Sequence, residues 1–275
     1  MKASTLLLIF GAVMVTFIFV ACSQLNSLPV NTPRRAGMNM EREHLDAQAQ
    51  WPSTDMMSAL EASATRVEVI SWSPRIIVVD NVLSEQECDA MIAMAEPKLE
   101  KSTVVNVQDG KSIPSSVRTS MGAFLTHEDR NSGHLARIEK RLAFLTMLPP
   151  ENGEAIQILR YEKAQYYRPH HDFFADEFNK KRGGQRICTV LMYLSTPEEG
   201  GETVFPQAGG PDSRCKCGGK DARGVSVEPR KGRAVIFWSQ TPEGKEDPKS
   251  LHGSCDVVSG VKWSATKWIR TGKFV

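Results

Sequence analysis

Apolar positions along the chain follow three successive patterns. From Leu6 to Ala21 they are almost uninterrupted (LLLIFGAVMVTFIFVA), preceded by the single charge of Lys2. Residues 23–65 are polar, are interrupted by Pro29, Pro33 and Pro52, and show little periodicity. From Arg66 onward regular spacing returns, at the helical period in two stretches before Leu145 and close to strict alternation beyond Ala155.

The spacing predicts specific elements. Val67–Ser71 and Arg75–Val79 are β-branched runs on either side of Pro74, hence two short strands. Ser84-Glu-Gln-Glu87 is a capping box that opens a helix through Ala95, with Cys88, Met91, Ile92 and Ala95 on its buried stripe and Pro97 closing it. A second helix is expected from about Glu128 to Leu145. Leu135, Ile138, Leu142 and Leu145 would be buried, Arg137, Lys140 and Arg141 wet, and Pro149-Pro150 would end it. Beyond that the pattern predicts strands over Ala155–Tyr161, Gln165–His170, Arg186–Leu194, Glu202–Phe205, Gly224–Glu228, Arg233–Trp238, Ser250–Cys255 and Lys262–Arg270. Short strands separated by Gly/Pro turns suit a double-sheet jelly roll, so the fold class is α+β, mainly β, with the helices flanking on the N-terminal side. Ile187–Leu194 is apolar on both faces and should be covered on both. Asp109–Arg118 and Ala208–Gly224 are long glycine-rich or charged loops, expected to close over a bound ligand.

The apolar N-terminal run falls between a signal-peptide core of about 7–15 residues and a spanning helix of about 20. A signal anchor is the preferred reading. Val20-Ala21-Cys22 before Ser23 is a tolerable cleavage site, so a cleaved signal stays open, and Arg34 and Arg35 leave the orientation undecided. The expected organisation is therefore a membrane segment over 1–22, a polar tether over 23–65 and one domain over 66–275. A short helix over Glu41–Gln50 is possible within the tether.

Composition narrows the partners. At 275 residues and 41% apolar content the chain can bury one sizeable core. Net charge is +2 with Lys and Arg spread, which argues against nucleic acid, and no repeat period is visible. Of 6 cysteines, Cys22 lies beside the apolar run, and the odd number left means at least one is unpaired or intermolecular. Cys215-Lys-Cys217 lacks two further zinc ligands, so a disulfide is the better reading, and Cys188 reads as a plain buried thiol.

Three stretches suggest chemistry: Arg168-Pro-His-His-Asp-Phe-Phe174, Leu251-His-Gly253 and Gly260-Val-Lys-Trp263. On an extended strand His170 and Asp172 project together while His171 points away. With His252 from another strand, they form the two-histidine, one-carboxylate facial set of non-haem Fe(II) oxygenases, which leaves three positions open. Lys262 on the following strand would offer a buried cation to the far carboxylate of an iron-chelating co-substrate, which is the chemistry of 2-oxoglutarate. By alternation Lys262, Ser264, Thr266 and Trp268 share one face, and Trp263, Ala265 and Lys267 the other.

These blocks, together with Tyr161-Glu-Lys-Ala-Gln-Tyr-Tyr167 and Gly200-Gly-Glu-Thr-Val-Phe-Pro206, resemble the prolyl 4-hydroxylases, in order and in spacing, from about Val67 to Arg270. The likeness is to the plant and algal single-chain type and to the catalytic domain of the animal collagen enzymes. Ala164 stands where a glycine is common, a mild departure away from the metal set. The resemblance implies a double-stranded β-helix core and hydroxylation at C4 of a peptidyl proline. It couples this to oxidative decarboxylation of 2-oxoglutarate to succinate and CO2, with Fe(II), O2 and L-ascorbate. It implies that Tyr161 and Thr203 hydrogen-bond the co-substrate, that Trp268 lines the site, and that Tyr167, Arg186 and Trp268 line the peptide groove. A proline-rich secretory substrate follows, as does a place in the endoplasmic reticulum membrane or Golgi with the domain luminal. A free-standing monomer is the expected state. The rival readings are another protein hydroxylase of the same cofactor class, such as a lysyl one, or a non-catalytic jelly-roll binding module. Succinate release separates the enzyme from the binder.

Overall fold

Alternating β-branched and aromatic residues in the C-terminal half build two antiparallel sheets facing each other. The computed structural model describes residues 64–105, 112–114, 116–130 and 133–275. The apolar Leu6–Ala21 run, Cys22, the polar tether and the short helix expected over Glu41–Gln50 lie outside the described residues. Among the described residues no helix is long and apolar enough to cross a membrane.

The larger sheet has eight strands. In chain order these are β1 (Arg66–Trp72), β2 (Arg75–Asp80), β3 (Glu100–Lys101), β6 (Met121–Phe124), β7 (Gln157–Tyr161), β9 (Arg186–Tyr193), β15 (Ala234–Trp238) and β18 (Lys262–Arg270). Their spatial order is β1-β2-β15-β9-β18-β7-β6-β3. The smaller sheet, in the order β14-β11-β16-β8, is built from β8 (Tyr167–His170), β11 (Thr203–Phe205), β14 (Val225–Val227) and β16 (His252–Ser254). Short ladders join β4 (Thr103–Val105) to β5 (Ser112–Pro114), and β10 (Glu199–Gly200) to β17 (Val257–Ser259). This is the expected mainly-β, two-sheet architecture.

The outer face of the larger sheet is closed by two helices, α1 (Glu85–Ala95) and α3 (His134–Thr146). Cys88, Met91 and Ala95 of α1 and Leu135, Ile138 and Leu142 of α3 pack in one cluster with Cys188, Val190 and Met192 of β9. The other face of β9 sends Leu191 and Tyr193 into a second cluster with Phe205 of the smaller sheet and Phe237. The central strand is therefore covered on both sides, as its unbroken apolar run predicts. The capping box forms as expected: Glu87 N donates to Ser84 Oγ (3.1 Å) and Ser84 N to Glu87 Oε2 (2.9 Å). The same carboxylate receives Arg141 of α3 at 2.8 Å and so ties the two helices together.

Several boundaries differ from the sequence expectation. The helix expected from Glu128 to Leu145 is two helices, α2 (His127–Arg130) and α3. Gly133 caps α3 at φ 75°, a left-handed conformation that no continuing helix can hold. Met147 at φ 57° then ends α3, before the prolines are reached. The strand expected over Ser250–Cys255 shortens to β16 because Pro248–Ser250 form a 3-10 turn. Ala208–Gly224 is not an irregular loop. It holds the hairpin β12 (Arg214–Cys217) and β13 (Lys220–Arg223), turned by Gly218 and Gly219 at φ 60° and 76°. A Cys217–Cys255 disulfide fastens this hairpin to the end of β16. Cys188 is buried and free, with Cys88 also buried and Cys215 half-buried, so the disulfide reading of Cys217 holds and the zinc reading falls. Of the Asp109–Arg118 loop, Ser112–Pro114 is a strand and 106–111 lie outside the described residues.

Candidate active site

β8 and β16 are adjacent in the smaller sheet, and their register places His252 directly opposite His170. Cross-strand neighbours project to the same face, here toward the larger sheet. Asp172 follows just past the end of β8 and turns inward, with 5% of its surface exposed. His170 Nε2 lies 3.7 Å from Asp172 Oδ1, and His252 Nε2 lies 3.6 Å from Asp172 Oδ2. One ligating atom from each of the three falls within 4.8 Å of the others.

The tautomers suit a metal. His170 Nδ1 is 3.0 Å from Arg168 O, and His252 Nδ1 is 3.0 Å from Ser250 O. A carbonyl can only accept, so each Nδ1 carries the proton and each Nε2 presents a lone pair. Burial, and then His252, hold the His170 imidazole well below its ordinary range, which keeps it neutral. Burial pushes the Asp172 carboxyl up, but His252, His170, Arg186 and the Thr189 hydroxyl outweigh it, and the group stays ionised. Two imidazoles and a carboxylate with open space beside them form the donor set of a non-haem Fe(II) centre. The residues fit the ion.

A cavity runs from this triad between the sheets to Lys262. Lys262, Ser264, Thr266 and Trp268 of β18 all line it, as alternation predicts. Lys267 takes the opposite face, where its Nζ meets Glu139 Oε1 of α3 at 2.6 Å. Lys262 is 1% exposed, and its Nζ donates to Ser254 Oγ at 2.7 Å. Among the described residues no carboxylate lies within ion-pair distance of it. Burial pushes its ammonium down to about 7, with Glu202 opposing. A buried cation with an unfilled charge requirement fits a dicarboxylate co-substrate.

That burial has a measurable signature. The unfolded lysine titrates near 10.5, so between about 7 and 10.5 the unfolded chain holds a proton that the folded one has released. Stability of the ligand-free protein therefore rises with pH across this window through Lys262. Urea midpoints of wild type and Lys262→Met should converge or cross in favour of wild type as pH rises. A pH-independent difference between the two would contradict the burial argument.

The remaining sequence-predicted residues divide. Tyr161 and Thr203 line the cavity near Lys262. Burial raises the Tyr161 phenol, which stays protonated, and the Tyr193 hydroxyl donates to Thr203 Oγ1 at 2.7 Å. Trp268 lines the wall, and its buried indole N–H has no hydrogen-bond partner among the described residues. Tyr167 also lines the cavity, and its ring stacks on His170 with centroids 3.7 Å apart. Arg186 does not line the cavity. It makes paired bonds to Glu154 (2.7 and 2.8 Å) and lies 3.9 Å over the Trp268 ring.

Three lining residues with polar side chains escaped sequence reasoning. Ser254 had a usable signal, since it lies two positions after His252 and faces the same way. Thr189 had a weaker one, as the polar residue inside an apolar strand. Arg118 had none. It is buried, donates to Gln157 Oε1 at 2.9 Å, sits 4.7 Å over Tyr167 and keeps a buried Nε without a partner among the described residues.

Comparison with known proteins agrees with this geometry. Residues 156–270 match the 2OG-Fe(II) oxygenase superfamily. The chain is 54% identical over 222 residues to prolyl 4-hydroxylase 1 of Arabidopsis thaliana, covering 81% of this chain and 78% of that protein. It is 50% identical over 218 residues to probable prolyl 4-hydroxylase 8 of the same plant, covering 76% and 72% respectively. Among solved structures it is similar to the viral collagen prolyl hydroxylase of Paramecium bursaria Chlorella virus-1 in its 2OG complex. There the TM-score is 0.51 at 28% identity, covering 70% of this chain and 94% of that one.

Proposed function

Because the chain belongs to the prolyl 4-hydroxylases of the 2OG-Fe(II) oxygenase superfamily, we propose that the cavity between its two sheets hydroxylates C4 of peptidyl proline in proline-rich secretory proteins. The protein is an oxidoreductase, an Fe(II)- and 2-oxoglutarate-dependent dioxygenase that uses O2. The observation that carries the reading is the convergence of His170, Asp172 and His252 in a cavity that the buried Lys262 also lines.

His170, Asp172 and His252 would hold the iron, and bound iron supplies the activation of O2 coupled to decarboxylation of 2-oxoglutarate to succinate and CO2. The protein's own residues do the rest. Lys262, protonated, pairs with the far carboxylate of the co-substrate, while Ser254 holds its ammonium in place. Tyr161 donates its phenol proton to the same end, and Thr203, already accepting from Tyr193, directs its own hydroxyl proton into the cavity. Tyr167 stacks on His170 and fixes the ring plane beside the entering peptide. Trp268 offers an apolar wall and an unpartnered N–H to the prolyl segment, with Arg186 and Glu154 holding its ring from behind. Proline-rich segments arrive as preformed polyproline II helices and dock against such aromatic walls at low entropic cost.

The setting is read from two further features. The Cys217–Cys255 disulfide suits an oxidising compartment. The Leu6–Ala21 run suits a signal anchor, with residues 66–275 in the lumen of the endoplasmic reticulum or Golgi. Ascorbate would serve as the reductant that restores Fe(II), and the working unit would be a monomer. The test is succinate release with poly-proline against (Pro-Pro-Gly)-type peptides. Iron- and peptide-dependent turnover with at least one series is expected, and succinate release indifferent to every proline peptide would overturn the substrate assignment.

A further inference from the structure

Asp172 is the one triad member that no strand pairing holds. β8 ends at His170, whose position is set by its pairing with His252, and Asp172 lies two residues beyond that ladder. The backbone on either side of it is nevertheless pinned. His171 Nε2 lies 2.9 Å from Pro248 O, so the residue between two ligands is bonded to the turn that leads into the third. Phe174 N donates to Gln185 Oε1 at 2.6 Å, and Gln185 Nε2 returns a bond to Phe174 O at 2.8 Å. The freedom left to Asp172 is rotation of its own side chain.

One contact removes that freedom. Thr189 Oγ1 donates to Asp172 Oδ2 at 2.6 Å, and Thr189 is 1% exposed. An ionised carboxylate only accepts, so the hydroxyl is the donor, and the bond is charge-assisted. Thr189 stands at the centre of the larger sheet, paired with Trp268 of β18 on one side and Phe237 of β15 on the other. Its hydroxyl therefore sits on one of the most constrained pieces of backbone in the molecule. It reaches across the cavity to a carboxylate that belongs to the opposite sheet. The nearby Arg186 cannot substitute, because its guanidinium is committed to Glu154.

We propose that Thr189 is a positioning residue for the metal site: its hydroxyl locks the Asp172 carboxylate in the rotamer that faces both histidines. The inference rests on the reading of His170, Asp172 and His252 as metal ligands. Partners of this kind orient ligands that would otherwise have to be ordered at the moment of binding. A β-branched residue suits the strand at this position, and of the two hydroxyl-bearing candidates threonine also restricts its own χ1.

The experiment is calorimetric titration of the chelator-stripped full chain with Mn(II), a redox-stable probe for the iron site, in wild type, Thr189→Val, Thr189→Ser and Asp172→Ala. Thr189→Val keeps the shape and deletes the donor, and its Kd for Mn(II) should rise about tenfold to a hundredfold. Thr189→Ser keeps the donor and should stay within a few fold of wild type. The melting temperature of the metal-free protein is measured alongside. Comparable metal-free stability of the Val and Ser variants, with divergent Kd, is the expected signature of positioning. An unchanged Kd in Thr189→Val overturns the proposal, as does an equal loss in both variants. Should Thr189→Val not fold, Thr189→Ala measured against Thr189→Ser makes the same comparison. Failure of wild type itself to bind Mn(II), or normal binding by Asp172→Ala, would instead strike down the metal reading and this inference with it.

Discussion

Lys262→Ala should raise the KM for 2-oxoglutarate roughly thirtyfold to several thousandfold while leaving metal affinity nearly unchanged. The magnitude follows from deleting one partner of a buried charge pair, which costs on the order of 2–5 kcal/mol. The selectivity follows from position: Lys262 lines the same cavity as the triad without being one of its members, and its ammonium donates to Ser254 Oγ. Lys267→Ala is the matched control. Lys267 is also buried and lies in the same strand, yet it points to the helix side and pairs with Glu139. Its loss should lower the melting temperature and leave the co-substrate requirement almost untouched. If the large KM effect appeared in Lys267→Ala instead, Lys262 would not be the carboxylate-binding cation. Arg118 is the other buried cation lining the cavity, but its guanidinium is already engaged by Gln157 and Thr103 O.

Asp172→Ala should abolish turnover, as should His170→Ala and His252→Ala. With two of three ligands the facial array is lost, and nothing replaces the negative charge that compensates the divalent ion. Asp172→Ala deletes an ionised carboxylate that its neighbours hold below the ordinary carboxylate range, so the metal-free variant should melt below wild type. A single cooperative melt with no detectable succinate release would separate chemistry from folding. Full activity of Asp172→Ala at ordinary iron concentrations would sink the ligand assignment.

Much of the active site was legible because it obeys the two-residue period of strands. Lys262, Ser264, Thr266 and Trp268 share a face by alternation alone, and the cavity lining reproduces that face. The capping box at Ser84 and Glu87 was equally local, since its two bonds join residues three apart. Where the backbone leaves regular geometry, periodicity lost its hold. Gly133 at φ 75° split the helix expected from Glu128 to Leu145, and a left-handed glycine looks in sequence like any other. The glycine-rich stretch after Ala208 reads as a loop, although Gly218 and Gly219 make it a tight hairpin.

The sequence by itself determined the strand content, the opposing faces of β18, the ligand types and the family likeness, because each depends on residues close in the chain or on motif spacing. Tertiary structure alone decided which distant side chains meet. Cys217 finds Cys255 rather than Cys215, because the hairpin folds back onto the end of β16. Arg186 is bonded to Glu154 and lies over the Trp268 ring, partners 32 and 82 residues away in sequence. Arg118 and Thr189 enter the cavity from strands and segments far from the triad in sequence. The physical reason is that a hydrogen bond or an ion pair between sheets is set by how the two sheets pack, and that packing is a sum over the whole core that no local pattern encodes.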